Sequence, residues 1–260
     1  MSFLLIDSHG HLDDKAFDED RYLIAENFNR DGIAAFVNVS ANRDSNFFGA
    51  ELSEKYDNVF FSAGIHPSEC GELDFGFLDT VKELYGRKKC VAIGEIGLDY
   101  HYDDVPRELQ KKWFERQCAL AKELDAPVII HDREAHRESF ETVKKYGNRG
   151  VFHCFSGSAE MAAELVKLGF YISFTGVLTF KNAKKTIEAA QAVPPDRLMI
   201  ETDCPYMAPE PLRGTRNEPK NVLKTCEKLA EIKGITPEEA AAITVENTCR
   251  LFGIENIWKN

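Results

Sequence analysis

The sequence predicts an α/β fold, a (β/α)8 TIM barrel with two extra C-terminal helices. Eight short apolar runs rich in β-formers alternate with helical patterns, and alternation of this kind implies parallel pairing. No Gly-rich phosphate turn follows the first run, which counts against a doubly wound open sheet. No linker, charge run or low-complexity tract divides the 260 residues. One domain over 1–260 is therefore expected, a length that α/β barrels commonly reach.

The elements follow in order. Residues 3–6 form the first strand and 19–30 a helix. Residues 34–39 are the second strand and 46–56 a helix; 59–64 the third strand and 75–86 a helix. Residues 90–94 make the fourth strand, followed by a long amphipathic helix over 107–124. Strands over 127–130, 150–152, 171–174 and 198–200 continue the series, separated by helices over 134–146, 159–168 and 183–192. Glycines 32, 147, 169 and 234 mark helix ends, where the chain needs a left-handed turn. Residues 219–233 and 237–252 are the two further helices.

Composition narrows the function. At 43% hydrophobic residues the chain can bury a full core, and no apolar run approaches 18 residues, so no membrane span is expected. The first residues lack a basic segment and Asp7 interrupts the apolar stretch, so no signal peptide is expected. Seven cysteines, an odd number without CxxC spacing, suit a reducing cytoplasm rather than a disulfide framework. A net charge of −11 argues against a surface that coats nucleic acid non-specifically, yet leaves room for a phosphate site whose positive charge comes from metal ions.

Active sites of such barrels lie at the C-terminal ends of the strands. Strict alternation along the first strand puts His9 and His11 on one face with Asp7 behind them, a rigid support for a divalent metal; alone, the pair would also suit one core histidine and one loop histidine. Five of the seven histidines, His9, His11, His66, His131 and His153, fall at strand ends. Glu95 and Asp203 join them. Buried carboxylates without partners are costly, and mixed nitrogen and oxygen donors suit Zn, Mn, Mg or a similar divalent ion. With His66 set apart as a nearby residue, the other four histidines and two carboxylates make six candidate ligands, more than one catalytic ion needs, so two divalent metal ions sharing one carboxylate are expected.

Seven motifs carry a resemblance. They are Asp7-Ser8-His9-Gly10-His11-Leu12-Asp13, Gly64-Ile65-His66-Pro67, Gly94-Glu95-Ile96-Gly97-Leu98-Asp99-Tyr100, Pro127-Val128-Ile129-Ile130-His131-Asp132-Arg133, His153-Cys154-Phe155-Ser156-Gly157, Glu201-Thr202-Asp203-Cys204-Pro205-Tyr206 and Arg216-Asn217-Glu218-Pro219. In this order they resemble the TatD family of metal-dependent deoxyribonucleases, within the amidohydrolase-like barrels, across nearly the whole chain. The resemblance implies one metal on His9, His11, Glu95 and Asp203 and another on Glu95, His131 and His153, with Glu95 bridging. Ile96 and Cys204 stand where many relatives carry small polar residues and serine, respectively; both are expected on the opposite strand face, in packing roles.

The implied chemistry is hydrolysis of a DNA phosphodiester, from a 3′ end, on single-stranded or frayed DNA, by a monomer. Asp203 would be the general base, or a plain ligand. Glu201, two residues earlier on the same face, would orient a histidine. His66 would touch substrate phosphate, or be a packed histidine; Arg133 would bind phosphate or a structural carboxylate. Arg213 and Arg216, in the polar loop 210–218, would supply a cationic handle for a nucleic-acid end, or simply be solvated. His101 and His136 are expected to be surface residues, and Cys154 and Cys204 to face the helix layer. Two rival hydrolases remain: a deacylase removing a D-amino acid from transfer RNA, and a small-molecule amidohydrolase. A non-catalytic scaffold is the rival of another class.

Overall fold

The computed structural model describes residues 3–255, so residues 1–2 and 256–260 of the expected domain lie outside the described part. Eight strands alternate with helices: β1 (Leu5–Gly10), α1 (Arg21–Glu26), β2 (Ile33–Asn38), α2 (Arg43–Lys55), β3 (Val59–Ala63), α3 (Phe77–Tyr85), β4 (Cys90–Asp99), α4 (Arg107–Glu123), β5 (Val128–Arg133), α5 (His136–Tyr146), β6 (Gly150–Phe152), α6 (Ala159–Lys167), β7 (Tyr171–Phe174), α7 (Lys184–Ala192), β8 (Leu198–Ile200), α8 (Val222–Lys233) and α9 (Pro237–Phe252). Neighbouring strands pair in parallel in the order β1 to β8. The chain is a TIM barrel.

The first and last strands meet where the sequence placed its chemistry. The Asp203 N–H donates to the His9 carbonyl (2.9 Å) and the His11 N–H to the Cys204 carbonyl (2.8 Å). Gly10 and Cys204 form a parallel bridge there. The barrel is nearly closed by this seam, which covers the edges of the first and last strands at this end.

Side-chain alternation then builds two shells. Along β5, Val128 and Ile130 pack with the helices. Ile129 instead joins Val91, Val151, Tyr171 and Met199 with Leu251 and Phe252 from the end of α9. His131, His153 and Glu201 follow Ile129, Val151 and Met199 by two residues and so share their inward face. Apolar side chains fill the barrel below, and the titratable ones sit above them.

Several boundaries move. The helix expected over 19–30 shrinks to α1, preceded by a 3-10 turn at Lys15–Phe17 that Asp14 caps through a 2.7 Å bond from the Ala16 N–H. α2 starts earlier because Asn42 and Ser45 form a capping box. β4 runs on to Asp99, and Pro219–Asn221 is a 3-10 turn ahead of α8. The four glycines expected to turn the chain all adopt positive φ.

The register of β1 against β2 shifts between Asp7 and Gly10, yet His9 and His11 still converge, their Nε2 atoms 3.2 Å apart, with Asp7 behind them. Asp7 is fully buried and turns to Thr202, accepting from its N–H (2.8 Å) and hydroxyl (2.5 Å). Burial raises its carboxyl to about 8, against the pull of those bonds.

Candidate metal centre

Glu95 is the hub. It is 3% exposed, and its two oxygens face different neighbours. Oε1 lies 2.7 Å from His153 Nε2 and 2.8 Å from His131 Nδ1. Oε2 lies 3.4 Å from His9 Nε2 and 3.9 Å from His11 Nε2. Asp203 Oδ1 completes the second side, 3.4 Å from His11 and 3.7 Å from His9. The His9 and His153 rings stack with centroids 3.9 Å apart. Each of three sets, His9–Glu95–His153, His9–His11–Asp203 and His66–Glu95–His131, brings its donor atoms within 4.8 Å of one another.

The other ring nitrogens fix how these histidines are used. His11 Nδ1 faces the Val39 carbonyl (2.9 Å), His153 Nδ1 faces Glu201 (3.2 Å), and His131 Nε2 faces Asp99 (3.1 Å). These outward partners are pure acceptors, so each outward nitrogen carries a proton and each inward nitrogen offers a lone pair. His9 and His11 point their Nε2 atoms at each other across 3.2 Å. His9 Nδ1 is buried with no hydrogen-bond partner among the described residues. Lone pairs and carboxylate oxygens thus converge with too few donors between them, the arrangement a divalent cation resolves. The residues fit a metal centre.

The electrostatics agree. Burial pushes Glu95 up, but the charge of His153 and the His131 bond hold it well below the carboxylate range. Burial pulls His11 down, but its bond to Asp203 and the charges of Asp13 and Glu95 lift it to about 9. Burial likewise opposes protonation of His131 and His153, and the carboxylates they face raise both. A cation bound there would compete with protons for these inward nitrogens.

His66 is different. Its Nε2 lies 3.6 Å from Glu95 Oε1, and its ring centroid 4.3 Å from that of His131. Its Nδ1 accepts the Ser68 N–H (3.1 Å), so the neutral ring presents an N–H donor to the site. Burial and the charge of His131 lower its pKa to about 3, which keeps it neutral.

Glu201 also accepts the Cys154 N–H at 2.7 Å. Arg133 is half-buried, lies 5.1 Å from the Tyr102 ring and makes no ion pair among the described residues. Arg213 is exposed, likewise unpaired, and rests 4.4 Å over Phe180. Arg216 is no cationic handle: it grips Asp20 with two bonds (2.8 and 2.7 Å), reaches Glu218 (3.1 Å) and covers Phe17. His136 caps onto Asp132 and His101 pairs with Glu134, both away from the cluster.

The two cysteines beside ligands part company. Cys204 packs in the core with the helices. Cys154 has φ 41°, and its thiol lies 3.7 Å from the Thr175 hydroxyl instead of facing the helix layer. Burial and the charges of Asp203 and Glu201 raise it well above the thiol range, so it is no thiolate nucleophile.

Asp99 is the residue that sequence reasoning passed over. It sits four positions after Glu95 on one strand, so alternation alone placed it on the ligand face. Its bond fixes the His131 ring. Replacing Asp99 by alanine is expected to weaken metal binding about 10–100-fold, read by competitive chelator titration; unchanged affinity would remove the orienting role.

A family model described as TatD related DNase matches residues 6–253. The chain belongs to the TatD family of metal-dependent hydrolases. It is 44% identical over 254 residues to the metal-dependent hydrolase YabD of Bacillus subtilis (strain 168), covering 96% of this chain and 100% of that protein. It is 37% identical over 268 residues to the metal-dependent hydrolase YcfH of Escherichia coli (strain K12), covering 96% of each. Among solved structures, the TatD homologue YjjV of Escherichia coli K12 superposes with a TM-score of 0.90 at 29% identity, covering 96% of this chain and 98% of that one. The family match thus spans the chain from β1 to α9.

Proposed function

We propose that this TatD family protein is a deoxyribonuclease that hydrolyses phosphodiester bonds of single-stranded or frayed DNA with two divalent ions per chain. The observation that carries the reading is the division of Glu95. One carboxylate oxygen serves His131 and His153, while the other serves His9 and His11. A shared carboxylate between two donor sets suits a pair of ions, the arrangement used to clamp the attacking and leaving oxygens of a phosphate. When bound, such a pair polarises the phosphate and activates water.

The chain's own residues do the rest. His9, His11, Glu95 and Asp203 hold one ion, and Glu95, His131 and His153 the other. Asp203 spends Oδ1 on His9 and His11, and Oδ2 has no partner among the described residues. Oδ2 is free to accept a proton from the attacking water, which makes Asp203 the general base. The His66 N–H donates to a phosphate oxygen, and Arg133 and Arg213 neutralise flanking phosphates. Work from a 3′ end, in the cytoplasm and as a monomer, follows the family resemblance.

The test is a 5′-labelled single-stranded oligonucleotide incubated with stripped protein reloaded with Mg²⁺, Mn²⁺ or Zn²⁺, beside Asp203→Ala. A metal-dependent ladder of shortened products, reduced at least about 10³-fold in the variant, is expected. Stoichiometric metal binding without cleavage by any ion would turn the reading to the deacylase, whose mark is release of an amino acid from D-aminoacyl-tRNA.

A further inference from the structure

The loop after β8 carries an unusual surface for its position. Of nine large apolar side chains exposed among the described residues, three (Tyr206, Met207 and Leu212) lie on it. Tyr206 is 53% exposed, yet its ring centroid is only 6.3 Å from that of His11. An aromatic face left open beside a cluster of metal ligands calls for an explanation, since exposed aromatic surface is costly in water.

The ring is also held still. The Tyr206 N–H donates to the Asp203 carbonyl (2.8 Å), and its carbonyl accepts from the Asn217 side chain (2.7 Å). Its hydroxyl donates to Asp14 Oδ2 (2.9 Å), while Asp14 Oδ1 is occupied capping the turn at Lys15–Phe17. The ring is thus tethered at both ends and spends little entropy on ordering when a flat partner arrives. Arg213, on the same loop, rests over Phe180 and supplies a cation without a carboxylate partner among the described residues.

We propose that Tyr206 is the stacking platform for the base of the terminal nucleotide. The inference rests on the deoxyribonuclease reading and names how that substrate is gripped. A phosphodiester seated at the His11–Asp203 side carries its base one sugar away, within reach of the open face of Tyr206. Stacking tolerates any base, because every base has a π-face, so the platform confers preference for a nucleotide over an abasic end without choosing among sequences. Tyr206 touches the base and no reacting atom; its effect is on binding.

The experiment compares the metal-loaded wild type, Tyr206→Ala and Tyr206→Phe on two single-stranded oligonucleotides. One ends in an ordinary 3′ nucleotide and the other in a tetrahydrofuran abasic residue. Tyr206→Ala is expected to raise KM about tenfold on the ordinary strand, the low end of what base–aromatic stacking supports, with kcat within about twofold. Tyr206→Phe keeps the ring but loses the tether to Asp14, and its KM is expected to fall between those of wild type and Tyr206→Ala. The abasic end is expected to cost the wild type about tenfold and Tyr206→Ala nothing further, because both changes remove one contact. The same split is expected in fluorescence anisotropy with the non-cleaving Asp203→Asn protein. Additive penalties, or a KM unmoved by Tyr206→Ala while wild type cleaves, would overturn the platform and leave the nuclease standing. A wild type that neither binds nor cleaves the ordinary strand would remove both readings.

Discussion

Replacing Glu95 by glutamine is expected to abolish hydrolysis, with turnover falling by about 10³-fold or more. The magnitude follows from the position of Glu95. Each of its oxygens faces its own histidine pair, at 2.7 and 2.8 Å on one side and 3.4 and 3.9 Å on the other. Glutamine keeps the shape but loses the charge, and its amide nitrogen offers no lone pair to a cation. Both donor sets are weakened by one change. Bound metal, counted by plasma mass spectrometry after desalting, is expected to fall from two equivalents to one or none. Two equivalents retained by the glutamine variant would show that the ions do not share Glu95. The metal-free variant bears a second signature: His131 and His153 lose the charge that helps keep them protonated, so their titrations by NMR are expected to move to lower pH.

The second large effect is structural and lies two residues further along β4. Gly97 pairs with His131 of β5, at φ 150°. A Cβ built there falls 1.9 Å from the His131 carbonyl oxygen and 2.8 Å from its carbonyl carbon. Those are backbone atoms inside a ladder, so no rotamer change relieves the clash. Gly97→Ala must therefore push β4 and β5 apart at the residue that holds one side of the metal centre. Destabilisation of about 3 kcal/mol or more is expected from overpacking at a strained position. In thermal unfolding this reads as a Tm lower by about 6–12 °C. Metal affinity is expected to fall with it, because His131 moves relative to Glu95 and His153. A variant with wild-type Tm and affinity would mean that the strands yield without cost, and that the close approach does not fix the site.

Much of this molecule was legible from one dimension. The period of the apolar residues tells strand from helix, and eight alternations leave few topologies open. The concentration of His9, His11, His66, His131 and His153 at strand ends locates the chemistry, since barrels present strand ends at one mouth. Alternation along single strands then sorts His131, His153, Glu201 and Asp203 onto the inward face. Asp99 was within reach of the same rule.

What only the tertiary structure decided depends on contacts between residues far apart in the chain. The seam that joins Asp203 to His9 closes across nearly the whole sequence, and no local pattern encodes it. The register shift in β1 and the bonds from Thr202 to Asp7 likewise tie the first strand to the last; a bulge is set by its partner strand and no local pattern announces it. The inward lone pair of His11 is fixed by a backbone carbonyl at Val39, a group every residue possesses and no side-chain motif announces. Arg216 looked available for substrate because its partner Asp20 lies 196 residues away. Local periodicity determines which way a side chain faces, whereas packing between distant segments determines what it meets there.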